Sequence, residues 1–260
     1  QTNQQVTDAT QQSIEMIHNT LPETTVKTNA RNNIENQSNK QTQLIQNSDE
    51  ATVEEKNEAQ ELVNQAKEQS IQNIDQAHTN QEVETAYNNG IQSIQQISPS
   101  TAIKTNARQT ISKAIQDKEK PVLENQEATQ EEKNQFMTKM NTLLNDLNQQ
   151  ITKDTTNQEV ANTKDNGLVS IEQSVFQPTV KQDARIKIQE FAEKQTELIN
   201  HSEDATNEEK NNALEKLKAT VENIINQINT ATMNSQVNLA QNNGESAISI
   251  ILPKIVVKEE

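Results

Sequence analysis

Between residues 83 and 97, Val83, Ala86, Gly90, Ile94 and Ile97 stand three, four, four and three apart among polar neighbours. That is the stripe of a helix with one apolar face. An Asn-Gly pair, Asn89-Gly90, lies inside it, and such a pair is otherwise a turn signal. The same spacing recurs upstream in Val26, Ala30, Ile34 and Ile45, and in Ala59, Val63, Ala66, Ser70 and Ile74. The pattern predicts three helices in succession. The first runs from about Val26 to Asn47. The second opens on Thr52 as N-cap with Glu55 closing a capping box. The third begins after Thr79 or Asn80, carries Glu82 in its first turn and ends near Ile97.

This trio repeats every 77 residues without insertion. "VKTNARNNI" at Val26 returns as "IKTNARQTI" at Ile103 and "VKQDARIKI" at Val180. "EATVEEKNEA" at Glu50 returns at Glu127 and Asp204, and "TNQEVETAYNNG" at Thr79 returns at Thr156 and Met233. All three glycines, Gly90, Gly167 and Gly244, share one position. Residues 1–20 copy the third helix again, setting Val6 against Val83, Ile17 against Ile94 and Ser13 against the glycine. Serine is poor in a left-handed turn, so the position reads as a small residue on a buried stripe. The alternative is a helix that ends at Asn89 with Gly90 as its cap. The inward residues expected in the second copy are Ile103, Ala107, Ile111, Val122, Phe136, Met140, Leu143, Leu147 and Ile151. In the third copy they are Val180, Ala184, Ile188, Ile199, Ala213, Leu217, Thr220, Ile224 and Ile228.

The fold expected is all-α: tandem three-helix bundles of about 77 residues joined end to end into an elongated rod. The longer helices would span roughly 35 Å at ~1.5 Å per residue. The boundaries expected are a partial repeat over 1–21, the third helix of a preceding bundle, full repeats over 22–98, 99–176 and 177–252, and the start of a linker over 253–260. The chain thus reads as a fragment of a longer protein. Pro22, Pro99 and Pro253 punctuate the linkers in one register and Pro178 is displaced by two, so limited bending is expected between repeats. Pro121 stands late in the first helix of the second repeat. It predicts a kink there, or an end near Lys118.

Composition narrows the functions open to such a chain. Its 260 residues are 30% hydrophobic and 2% aromatic, with a net charge of −15. Several thin cores fit this better than one large core. The acidic balance argues against nucleic acid and anionic membrane surfaces, and no apolar run is long enough to span a bilayer. There is no Cys. His18, His78 and His201 fall at unrelated repeat positions, which argues against a metal centre. No nucleophile motif, glycine loop or cofactor signature occurs, so no enzyme and no cofactor is expected. Glu54/Glu55 and Glu131/Glu132 sit in first helical turns, where the macrodipole favours negative charge. Arg31, Arg108 and Arg185, with Lys27, Lys104 and Lys181, are identical in every copy. They are candidates either for docking an acidic partner or for bridging helices and repeats, and position-matched residues favour the second reading.

The set "VKTNAR…EATVEEKNEA…TNQEV…NNGIQSI" resembles the tandem helical repeat of unknown function in giant staphylococcal cell-wall-anchored surface proteins. These include surface protein C, the FmtB-type surface protein and relatives of Ebh. The resemblance covers essentially the whole chain. It implies an extracellular, wall-anchored stalk that projects an adhesive region in adhesion or biofilm formation. The alternative it leaves open is a weak binding module, repeated for avidity, for host matrix or plasma proteins or for self-association between cells. Adjacent repeats would be the main partners, and the chain itself a monomer.

Overall fold

The computed structural model describes residues 2–19 and 24–255. The linker positions 20–23, including Pro22, and residues 256–260 lie outside the described residues. Among those described there are ten helices and no strand. They are α1 (Asn3–His18), α2 (Thr25–Gln46), α3 (Val53–Gln76), α4 (Asn80–Gln95), α5 (Ala102–Glu124), α6 (Gln130–Lys153), α7 (Asn157–Gln173), α8 (Val180–Asn200), α9 (Asn207–Thr230) and α10 (Asn234–Ser249). The chain divides into two compact units, Gln1–Thr105 with Thr152–Gln158, and Asn106–Ile151 with Glu159–Glu260.

In the first unit α2, α3 and α4 all pack on one another. Lys56 reaches the Gln46 carbonyl at one end of α2 and Arg31 reaches Asp75 at the other, so α2 and α3 are antiparallel. Gln41 donates to the Ile97 carbonyl, so α4 runs back alongside α2. The core is the expected stripe: Ala30, Ile34 and Ile45 from α2, Ala59, Val63 and Ile74 from α3, Val83 and Ile94 from α4. The second unit repeats the plan in α8, α9 and α10 around Ile188, Ile199, Leu217, Ile224, Ile228, Val237 and Ile248. It also holds most of α5, α6 and α7, where Ile111, Ile115, Phe136, Met140, Val160 and Ile171 are buried.

The helix starts follow the caps that the sequence carries. Thr52, Thr79 and Thr206 each accept from the third amide of their helix, and Glu55, Glu82 and Glu209 reach back to the cap amide. Thr129 and Glu132 make the same pair of bonds. The glycine position is internal to a continuous helix. α4 and α10 run through Gly90 and Gly244, and no glycine among the described residues has positive φ. Close packing is the reason. A Cβ on Gly90 would stand 2.7 Å from the Ser70 Cβ and 2.8 Å from Ile34 Cδ1, and one on Gly244 2.7 Å from Ile224 Cγ2.

Two expectations need correction. α5 does not end near Lys118; it continues through Pro121 to Glu124. Val122 is buried in that last turn, and Lys133 donates to the Leu123 carbonyl, so burial and a side-chain cap hold the turn against the missing proline N–H. Val26 is not inward but 43% exposed, and Ile103 and Val180 are only half-buried. They lie in first turns, at the ends of bundles rather than along their interiors. On α1, Val6, Ser13, Ile14, Met16 and Ile17 are exposed.

Candidate functional site: the contacts between successive repeats

Every helix start leaves amides without intrahelical partners. Two of the first helices, α2 and α8, lack their own solution, since neither Thr24 nor Thr179 makes a side-chain cap, whereas Ser100 Oγ accepts from the Ala102 amide at the start of α5. For α8 the acceptor comes from the preceding repeat. Glu132 Oε2 caps its own helix through the Thr129 amide at 2.9 Å. Its Oε1 accepts from the Thr179 amide at 2.8 Å and the Val180 amide at 3.0 Å. Glu55 does the same one repeat earlier, with Oε2 on the Thr52 amide and Oε1 on the Ile103 amide at 3.2 Å. The neighbouring acid serves the third helix of the following repeat. Glu54 accepts from the Asn157 amide and Glu131 from the Asn234 amide, each at 3.0 Å. A backbone bond joins each site, from Val53 N to Thr155 O and from Gln130 N to Thr232 O, both 2.8 Å. One acidic pair therefore caps three helix starts belonging to two repeats.

The lysine of each first helix completes the site from the other side. Lys104 Nζ donates to the carbonyls of Asp49 at 2.8 Å and Thr152 at 2.9 Å. Lys181 Nζ donates to those of Gln126 at 2.8 Å and Asn229 at 2.7 Å. Both acceptor pairs are related by 77 residues, one member from the preceding repeat and one from the lysine's own second helix. Lys104 is 2% and Lys181 3% exposed. A buried ammonium is costly unless its donors are used, and carbonyl oxygens at the ends of helices are the natural acceptors. Burial pushes the Lys181 ammonium below the usual lysine range, Glu127 acting against that shift. Burial also pushes Glu132 and Glu55 upward, but the amide bonds outweigh it and hold both carboxyls below the ordinary glutamate value.

The other candidates fall into place around these. Lys27, half-buried, donates to the Asp75 carbonyl of its own repeat. Arg31 pairs with Asp75 across α2 and α3. Arg185 bonds Asn229 Oδ1 at 2.8 Å and Glu127 of the preceding repeat at 2.7 Å. Arg108 is half-buried. Two recurrent contacts were not singled out from sequence. Lys56, Lys133 and Lys210 each cap the end of the first helix, at Gln46, Leu123 and Asn200. Their identity within every "EEKN" is the signal that marks them. Gln41 and Gln195 cap the third helix at Ile97 and Ile251, and Lys118 in the matching place reaches Glu172. Among the described residues no group of His, Cys, Asp or Glu is arranged to hold a metal ion, and no helix is long and apolar enough to cross a membrane.

The profile of one protein family, Domain of Unknown Function (DUF1542), matches residues 26–102, 103–179 and 180–256. The chain belongs to that family. The DUF1542 frame begins at the first helix of each repeat, so each boundary passes through one of the sites just described. The chain is 27% identical over 245 residues to the extracellular matrix-binding protein ebh of Staphylococcus aureus strain MW2, covering 92% of this chain and 2% of that protein. It is 28% identical over 197 residues to the extracellular matrix-binding protein EbhA of strain Mu3, covering 74% of this chain and 3% of that protein. The chain thus spans only 2–3% of the length of these curated relatives. No solved structure matches it.

Proposed function

We propose that this chain is a spacer segment of a bacterial surface protein, outside the cell and anchored to its wall, whose repeats set distance and stiffness between the wall and an adhesive region. The observation that carries this reading is the recurrence, at both joins, of a buried lysine and a shared acidic pair in the same geometry. Contacts at the ends of bundles are how nearest-neighbour arrays gain stability. No residue takes a catalytic part. Each repeat, near 22–98, 99–176 and 177–252, is one unit of length. Scattering from the chain in solution tests this. The spacer reading expects a radius of gyration about twice the ~18 Å of a compact globule of this size. A value near 18 Å contradicts it.

A second reading is supported by the relatives' printed name, extracellular matrix-binding protein. On it, each repeat offers a weak site for a matrix protein and the array gains avidity. Saturable binding to immobilised fibronectin or fibrinogen at physiological salt, lost when Arg31, Arg108 and Arg185 become Ala with the fold intact, would favour it. Absence of binding leaves the spacer reading alone.

A further inference from the structure

We infer that Asn89, Asn166 and Asn243 are modification sites that deamidate when their bundle opens and then keep it from closing. Each precedes the glycine of its repeat, and all three are exposed. Packing accounts for the glycine, whose missing Cβ lets the third helix lie close against the second. It does not account for the asparagine. Asparagine followed by glycine is the pair in which the backbone most readily attacks the side chain, because glycine has no side chain to hinder the approach. The glycine nitrogen attacks the asparagine Cγ, its proton passes to the departing amide, and ammonia leaves. Water then opens the succinimide ring at either carbonyl, giving aspartate or, more often, isoaspartate.

The fold controls this step. Gly90, Gly167 and Gly244 stand inside the continuous helices α4, α7 and α10, none with positive φ. In an α-helix the glycine N–H is held by the carbonyl four residues back. The helical ψ also keeps that nitrogen from closing a five-membered ring on the asparagine Cγ. Opening the helix releases both constraints. The product then opposes closure. Isoaspartate adds a methylene to the backbone between residues 89 and 90. Gly90 can no longer return to its place beside Ser70 and Ile34, nor Ile94 to the interior, where it is fully buried. Ile171 and Ile248 hold the same place in the other repeats and are also buried. A bundle that opens and reacts therefore stays open, an irreversible unfolding set by how often it opens. In a spacer, each such bundle lengthens the segment permanently; that consequence, unlike the chemistry, rests on the spacer reading. The partial copy in α1 has Gln12-Ser13 in the matching place and lacks the reactive pair.

The test uses the full-length chain, held in mildly alkaline buffer with and without guanidinium. Peptide mass spectrometry follows ammonia loss at each asparagine. Asn89, Asn166 and Asn243 should react about tenfold or more faster in the denaturant, because only open molecules react. Asn57, Asn134 and Asn211, equally exposed but not followed by glycine, should stay unmodified over the same period. The denaturant is then removed. Chains carrying isoaspartate, separated by their added negative charge, should regain less helix by circular dichroism than unmodified ones. A chain with Asn89→Gln, Asn166→Gln and Asn243→Gln together, taken through the same treatment, should regain all of it, since glutamine favours a helix at least as well as asparagine. Equal rates with and without denaturant, or full recovery of helix by chains carrying isoaspartate, would overturn the inference.

Discussion

Ser70 in the first bundle and Ile224 in the third occupy one place in the repeat, beneath Gly90 and Gly244. One is a hydroxyl bonded to the Ala66 carbonyl, the other a large apolar side chain, and both are buried. Lys104 and Lys181 also occupy one place, but there the residue is the same and so are the carbonyls it reaches. This part of the interior tolerates exchange because any side chain of suitable volume can close it. The ends do not, because backbone amides and carbonyls must be met by donors and acceptors at fixed positions. What the repeats hold in common is therefore of two kinds: a buried apolar set, Ile34, Ile74, Val83 and Ile94 with their identical counterparts, and a polar set where one bundle meets the next.

The strongest way to break this comparison is to fill the interior's closest approach between helices. Gly244→Leu should destabilise the third bundle by about 3 kcal/mol or more, since the new side chain meets Ile224 and Ile188 with no space to enter. Chemical denaturation followed by circular dichroism measures it. Next, Lys181→Met should cost about 2 kcal/mol by leaving the Gln126 and Asn229 carbonyls buried without their donor. Lys27→Met, at the half-buried copy of the position, should change stability by less than about 0.5 kcal/mol. Equal effects for the two lysines would show that the position matters only within its own bundle.

The acidic pair gives a pH signature. Glu132 is held below the ordinary glutamate value of 4.5 in the folded chain. Its contribution is present above about pH 4.5, where it is ionised in both states. That contribution is lost as the pH falls through the lower folded value, because protonation removes an acceptor. Glu132→Gln should therefore lower the melting temperature at pH 7 and make less difference below pH 4 or so. A constant difference across that range would assign the loss to packing. The smallest effect is expected at Arg31→Ala. Its ion pair with Asp75 is more than a third exposed on both sides and such pairs contribute about 0.5 kcal/mol. The thin first core sharpens the comparison further: with Val63 and Ser70 where the third has Leu217 and Ile224, an isolated first repeat should melt below an isolated third.

The interiors were legible in the sequence because apolar spacing reports directly on which helix face is buried, and Ile34, Ile74 and Ile94 lie where that spacing puts them. The capping boxes were legible for a similar reason, since Thr52 and Glu55 stand three apart on one chain. The joins were not. A side-chain pattern shows that Glu132 can cap its own helix, but its second oxygen is used by amides 47 and 48 residues away. Backbone partners such as the Gln126 carbonyl have no residue signature at all. Val26 misled because its spacing continues the apolar stripe to the end of the bundle, where the interior has already stopped. At Pro121 the expectation of an early end near Lys118 failed because proline's cost was weighed without the buried Val122 beside it.

The central claim is that Lys181 and the Glu131/Glu132 pair hold the second and third repeats in a fixed orientation. It is tested most directly by 15N relaxation of the full chain. Amides of α6 (Gln130–Lys153) up to residue 151 are compared with those of α8–α10 (Val180–Ser249). The account predicts one common rotational diffusion tensor for both sets, separating into two when Glu132→Gln and Lys181→Met are combined. Two independent tensors already in the unaltered chain would contradict it.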